Sequence, residues 1–172
     1  MPHPSTSVRH TSRAEIEVEA RPFGGLQVDA SVSYLKFEFT SINQNAAILI
    51  PGVSLNTKEP YAPDHQADIG IQYVIPMGTA GTLTPRLDAN YQSSFFTDIT
   101  NAPLSLVGGR TLANARITWK SMSQAWETAV AVTNLTGHFY YINKVYAPAP
   151  SNVTEGQPGA PREWLVTVKR NF

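Results

Sequence analysis

Glu15, Glu17 and Glu19 alternate with Ile16, Val18 and Ala20, which puts three carboxylates along one side of an extended segment. Paired carboxylates can do acid–base work, but a row facing water explains them more simply. Arg86 and Asp88, with Arg116 and Lys120 further on, form a ladder of charges that no nucleophile accompanies, and it reads as structural. His3, His10, His65 and His138 are scattered without metal-ligand spacing and read as solvated loop residues. Gly24-Gly25 and Gly108-Gly109 lack the spacing of a phosphate loop and have no helix behind them, so they read as turns. Asn134-Leu135-Thr136 and Asn152-Val153-Thr154 match the glycosylation pattern trivially. Phe139-Tyr140-Tyr141 and Tyr146 suit a ligand-contacting surface, but interfacial anchoring is the favoured account. No catalytic constellation survives, and the expectation is a protein that is not an enzyme and carries no cofactor or metal.

The 172 residues are 42% hydrophobic and only 15% charged, where soluble domains carry about a quarter charged residues. Thirteen Lys and Arg balance thirteen Asp and Glu, so no net field recruits nucleic acid. The absence of cysteine excludes disulfides and thiolate metal sites. No apolar run reaches the length of a membrane-spanning helix. The first residues, Met1-Pro2-His3-Pro4-Ser5, lack the basic and apolar regions of a signal peptide.

What must position these residues is a set of strands. Period-2 alternation recurs in Arg13–Arg21, Leu26–Tyr34, Ala67–Ile75, Leu83–Gln92, Ala113–Lys120, Trp126–Val132 and Trp164–Phe172. One parity carries Val28, Val32, Ile69, Ile71, Leu87, Ile117, Val130, Val132, Val166 and Val168. The other carries Glu17, Asp29, Gln72, Asp88, Asn90, Arg116 and Lys120. Near Leu35 the apolar parity flips to Phe37 and Phe39, predicting a bulge or a strand leaving its sheet. No window supports a helix. The short turns at Pro22–Gly25, Pro76–Gly81 and Ser121–Gln124 alternate with long connections at Ser41–Pro63, Ser93–Arg110 and Thr136–Pro161. Tyr73, Tyr91, Trp119, Trp126 and Trp164 fall near strand ends, as in aromatic girdles. The fold class is therefore all-β: an antiparallel curved β-sheet of about seven strands, read as a segment of a transmembrane β-barrel ahead of a soluble sandwich, whose strands alternate in the same way. It forms one unit over 1–172, with 1–12 a loop or ragged N-terminus. The apolar parity is expected to face lipid on the convex side.

Three segments resemble the C-terminal part of the barrel of TonB-dependent outer-membrane receptors. Leu112–Trp119 resembles the third-from-last strand. Val132-Thr133-Asn134-Leu135-Thr136, followed by Tyr140, resembles the end of the penultimate strand. Gly159-Ala160-Pro161-Arg162, with Trp164, Val166, Val168 and Phe172, resembles the closing strand. Two positions depart from the pattern: Gly137 replaces a common Asp, and Arg170 a common aromatic.

The resemblance implies an integral outer-membrane protein in contact with lipid. Trp164, Val166, Val168 and Phe172 would form the signal read by the barrel-assembly machinery. The whole protein would take up a ferric siderophore or similar small molecule. The TonB complex would be reached only through an N-terminal plug that this sequence does not contain, so the chain reads as a fragment. Two other readings compete: a small complete outer-membrane barrel acting as an adhesin or structural protein, and a soluble carbohydrate-binding β-sandwich.

Overall fold

The computed structural model describes residues 8–147, 150–151 and 153–172. Its strands in chain order are β1 (Val8–Ala20), β2 (Leu26–Ser41), β3 (His65–Tyr73), β4 (Ile75–Pro76), β5 (Thr82–Gln92), β6 (Phe95–Phe96), β7 (Leu106–Val107), β8 (Arg110–Lys120), β9 (Trp126–Thr133), β10 (Tyr141–Ala147), β11 (Val153–Pro158) and β12 (Glu163–Arg170). Seven of them form one antiparallel sheet in the order β1-β2-β3-β5-β8-β9-β12, with β4 paired to β5. Every neighbour in that path is also the next long strand in sequence. The short turns therefore lie at one end of the sheet and the long connections at the other, as the alternating lengths predict.

Residues directly opposite in a ladder share a face, so the register shows which side chains are together. One row crosses all seven strands: Ala20, Val28, Ile71, Leu87, Ala115, Val132 and Trp164. Pro85, Ile117, Val130 and Val166 make a second apolar row, and Ile16, Val32, Ala67 and Tyr91 a third. All ten aliphatic residues expected together lie on this face. No second sheet covers them: Ile16, Val32, Ile69, Ile117 and Val166 are all more than half exposed. That rules out the β-sandwich, in which such a face would be packed. The sheet is also open, because β1 and β12 each pair on one side only among the described residues. Pro85 falls in the gap between the Gln72–Arg86 and Ile75–Leu83 pairs, where the ladder on that side of β5 is already interrupted.

Several boundaries differ from the sequence reading. Residues 8–12, expected as loop, are the start of β1 and pair with the far end of β2; both sides are exposed there, so no apolar alternation marks them. Residues 1–7, including His3, lie outside the described residues, as does Asn152. At Leu35 there is no bulge in the β1–β2 register. Instead β3 ends at His65, opposite Tyr34, and β2 runs on paired to β1 alone. The parity flips because the apolar face changes surroundings there. The one register shift of the β1–β2 pair lies between Val8 and Arg9.

The long connections are also built rather than irregular. A six-residue helix, Gln44–Leu49, too short to show a periodicity, sits in the first. The second contains β6 and β7, and the third the β10–β11 hairpin. They interlock into a small core of their own around Phe95, Ser105 and Val107, all nearly or fully buried. The Tyr61 N–H donates to the Phe96 carbonyl at 2.8 Å, and the Tyr61 hydroxyl to Asn143 Oδ1 at 2.9 Å. The Lys58 N–H donates to Asn101 Oδ1 at 2.6 Å, and Asn101 Nδ2 returns a bond to the Lys58 carbonyl at 3.0 Å.

Asp98 holds the second connection. Partial burial pushes its carboxyl up, but the Thr100 N–H (2.7 Å), the Thr100 hydroxyl (3.0 Å) and the Ala102 N–H outweigh this and keep it below its ordinary value. A lowered folded value means stabilisation that is present at neutral pH and lost as pH falls through that value. Amide protection at Thr100 and Ala102 is therefore expected to be flat near neutrality and to drop only below about pH 4. D98N should remove that step, as hydrogen exchange across a pH series would read.

Candidate functional site

The polar face is assembled by the same register. Glu17, Ser31, Asp68 and Asn90 form one row; Glu19, Asp29, Gly70, Asp88 and Asn114 form the next; Gln27, Gln72, Arg86 and Arg116 form a third. All seven polar-parity residues named from the sequence lie on this face. Arg86 is its centre. Its guanidinium makes a two-pronged contact with Asp29, Nη1 to Oδ1 at 2.9 Å and Nη2 to Oδ2 at 2.8 Å, while Nε donates to Asp88 Oδ1 at 2.8 Å. Asp29 is two strands away, so the side chain must cross β3. It does so over Gly70, where an added Cβ would collide with both the guanidinium and the Asp29 carboxylate. A side chain there would have to displace the Arg86–Asp29 contact.

Arg86 and Arg116 are directly opposite each other, a juxtaposition that costs energy unless each is neutralised. Arg86 has its two aspartates. Glu127 serves Arg116 at 4.0 Å and Lys120 at 3.4 Å. The predicted charge ladder is thus two separate carboxylate-bridged clusters. Glu17 has no ion-pair or hydrogen-bond partner among the described residues, and no three His, Asp or Glu side chains converge there on a common point. The arrangement can hold fixed charges in a polar wall. It presents no nucleophile with a base. G70V is expected to break the Arg86–Asp29 contact and cost about 1 kcal/mol, the low end for a charge-assisted pair because both partners are partly exposed. In a D29N background the cost should shrink, and urea unfolding of the four variants in the cycle measures that coupling.

A second cluster joins the segments singled out at residues 132–140 and 159–162. Asn134, 4% exposed, has left-handed backbone (φ 47°) just after β9. Its Nδ2 donates to the carbonyls of His138 (2.9 Å) and Ala160 (3.1 Å), and its Oδ1 accepts the His138 N–H at 2.9 Å. Its own N–H donates to Asn114 Oδ1 on β8 at 2.9 Å. One side chain therefore ties the turn after β9 to the approach of β12. Nearby the Tyr140 ring lies where a side chain at Gly159 would be, with the Arg110 guanidinium 4.8 Å from the ring centre.

The terminal residues Trp164, Val166 and Val168 lie on the apolar face of β12, opposite Val132, Val130 and Thr128, and all three are exposed. Phe172, beyond the strand end, is fully exposed. Sequence reading did not find the Arg86–Gly70–Asp29 contact or the environment of Arg170, whose Cζ lies 5.2 Å from the Trp126 ring and 4.8 Å from the Phe172 ring.

A two-faced, open antiparallel meander with its turns at one end is the wall of a β-barrel. No family model matches the chain, and no curated protein matches it in sequence. Among solved structures it is similar to the ferric yersiniabactin uptake receptor FyuA from Yersinia pestis, with a TM-score of 0.76 and 19% identity over 94% of this chain and 23% of that one. It is similar to BauA, the ferric preacinetobactin receptor from Acinetobacter baumannii, with a TM-score of 0.71 and 20% identity over 94% of this chain and 22% of that one. The ferric citrate transporter FecA aligns with a TM-score of 0.61 and 23% identity over 84% of this chain and 20% of FecA. The chain thus has the fold of part of the barrel of TonB-dependent siderophore receptors, and spans less than a quarter of their length.

Proposed function

We propose that these residues are the C-terminal part of the β-barrel of an outer-membrane receptor that takes up a ferric siderophore or similar small molecule with energy from TonB. The observation that carries the reading is the register. From Arg13 onward the seven long strands hold one apolar and one polar face in register up to the parity change at Leu35, and most of the apolar face is exposed, with Val132 its buried exception. Lipid is the partner that such a face fits. The named neighbours, two ferric-siderophore receptors and a ferric citrate transporter, supply the ligand class. Expressing the complete gene in a strain lacking its own receptors, with and without TonB, tests it. Growth on one of a panel of ferric siderophores, only when TonB is present, is the expected result; equal growth without TonB would overturn the proposal.

Trp164, Val166, Val168 and Phe172 are proposed as the barrel-assembly signal. Their support is an exposed apolar run, Trp164, Val166 and Val168, on an edge strand, followed past Arg170 by the exposed Phe172 ring. Deleting Phe172 from the intact protein is expected to lower the amount of heat-modifiable folded barrel in the outer membrane. An unchanged amount would show that assembly does not read this end.

A further inference from the structure

Between Tyr34, Tyr91 and Trp164 toward the loop ends of their strands and Tyr73, Trp119 and Trp126 toward the turn ends, the apolar face of the seven long strands is built from aliphatic, aromatic and small side chains with a few threonines. Arg170 is the exception. It lies opposite Trp126, in line with Val166 and Val168, and among the described residues is the one permanently charged residue of that face on the turn side of Tyr34; Lys36 and Glu38 lie beyond Tyr34 at the loop end as a mutual ion pair. It is exposed and has no carboxylate partner. Its cation instead rests against the rings of Trp126 and Phe172, each within 5.2 Å. The strand end beneath it is fixed: the Asn171 N–H donates to the Ala125 carbonyl at 2.8 Å, and Asn171 Nδ2 to the Gln124 carbonyl at 3.0 Å.

A guanidinium against aromatic faces keeps its in-plane N–H groups free, and those groups match two oxygens of a phosphate. The place matters as much as the chemistry. Arg170 sits at the turn end of the face, level with aromatic residues of the kind found where hydrocarbon meets headgroups. An arginine buried at the middle of the bilayer would cost about 2–4 kcal/mol, and near the interface about 0–1 kcal/mol. Its donors at the interface meet lipid phosphate.

We infer that Arg170, held by Trp126 and Phe172, is a binding site for the phosphate of an anionic phospholipid headgroup in the leaflet at the turn end. This rests on the proposal that the apolar face meets lipid. The test uses the intact protein reconstituted in vesicles of equal phosphatidylglycerol and phosphatidylcholine, released into mild detergent and weighed by native mass spectrometry. Phosphatidylglycerol should be retained over phosphatidylcholine by about fivefold, the equivalent of the ~1 kcal/mol that one basic residue gains at an anionic surface. R170Q and R170Y should both retain the two lipids equally; R170Y places an aromatic at the position, so it reports even where R170Q does not assemble. The same preference in R170Y would overturn the inference. So would inorganic phosphate that, added in excess, displaces the retained phosphatidylglycerol from the wild-type protein, since the site would then be one for free phosphate. A protein that inserts and shows no preference overturns this inference alone. A protein that inserts into neither lipid overturns the membrane reading and this site with it.

Discussion

These 172 residues, refolded by themselves, are expected not to give a stable monomer in detergent or lipid. The seven-stranded sheet leaves the outer edges of β1 and β12 without a partner. In an antiparallel ladder half of an edge strand's N–H and C=O groups point away from its one neighbour. Those two edges therefore present on the order of twenty unpaired backbone groups, some of them at the depth of the hydrocarbon. At several kcal/mol for each group left without water or a partner, the total is on the order of tens of kcal/mol. That exceeds the roughly 5–15 kcal/mol of stability of a typical domain. Aggregation or edge-to-edge association is the expected outcome in size-exclusion chromatography and heat-modifiable gel mobility. A monodisperse monomer with discrete conductance steps would show that the chain completes a small barrel unaided.

Replacing Asn134 by leucine is expected to be the most damaging single change outside the apolar face. The substitution removes three hydrogen bonds at once and leaves the His138 N–H and two carbonyls unanswered in a site that is 4% exposed. At about 0.5–1.5 kcal/mol for each bond, with a further ~1 kcal/mol for forcing leucine into left-handed backbone, the loss is about 3–5 kcal/mol. N134D keeps the acceptor for the His138 N–H but offers no amide donor, and should fall between. N134G relieves the backbone and restores none of the bonds, so it should recover only about 1 kcal/mol of the loss. Denaturant unfolding of the intact protein orders the three variants, and N134G as stable as wild type would show that only the backbone conformation matters.

The faces of the sheet were legible from the sequence because a period of two maps one-to-one onto the sides of a strand, and the two sides of this sheet carry side chains of opposite polarity. That logic failed where both sides of the chain meet the same surroundings. Residues 9–12 are polar on both parities, and the β10–β11 hairpin is mostly exposed, so neither leaves an alternation to read. Gly70 illustrates a different limit. Its meaning depends on Arg86 and Asp29 being two strands apart and one rung out of line, which only the register reveals. Asn134 was visible as part of a motif. That it binds residues 114, 138 and 160 together was not, since the partners come from three separate stretches of chain. Arg170 was noted as a departure from an aromatic, and the structure shows aromatic rings supplied around it by Trp126 and Phe172.

Seven is an odd number, and in a meander every strand reverses the direction of the one before. β1 and β12 consequently run the same way through the sheet. A cylinder in which all neighbours are antiparallel cannot be closed by joining these two edges, and a ring of identical copies standing the same way up fails equally, because each junction would set two like-directed strands side by side. Whatever closes such a wall must begin and end on strands of the opposite sense, and so must contribute an odd number of its own. The sheet is therefore complementary to an odd-numbered antiparallel run entering with the opposite sense, and not to a copy of itself standing the same way up.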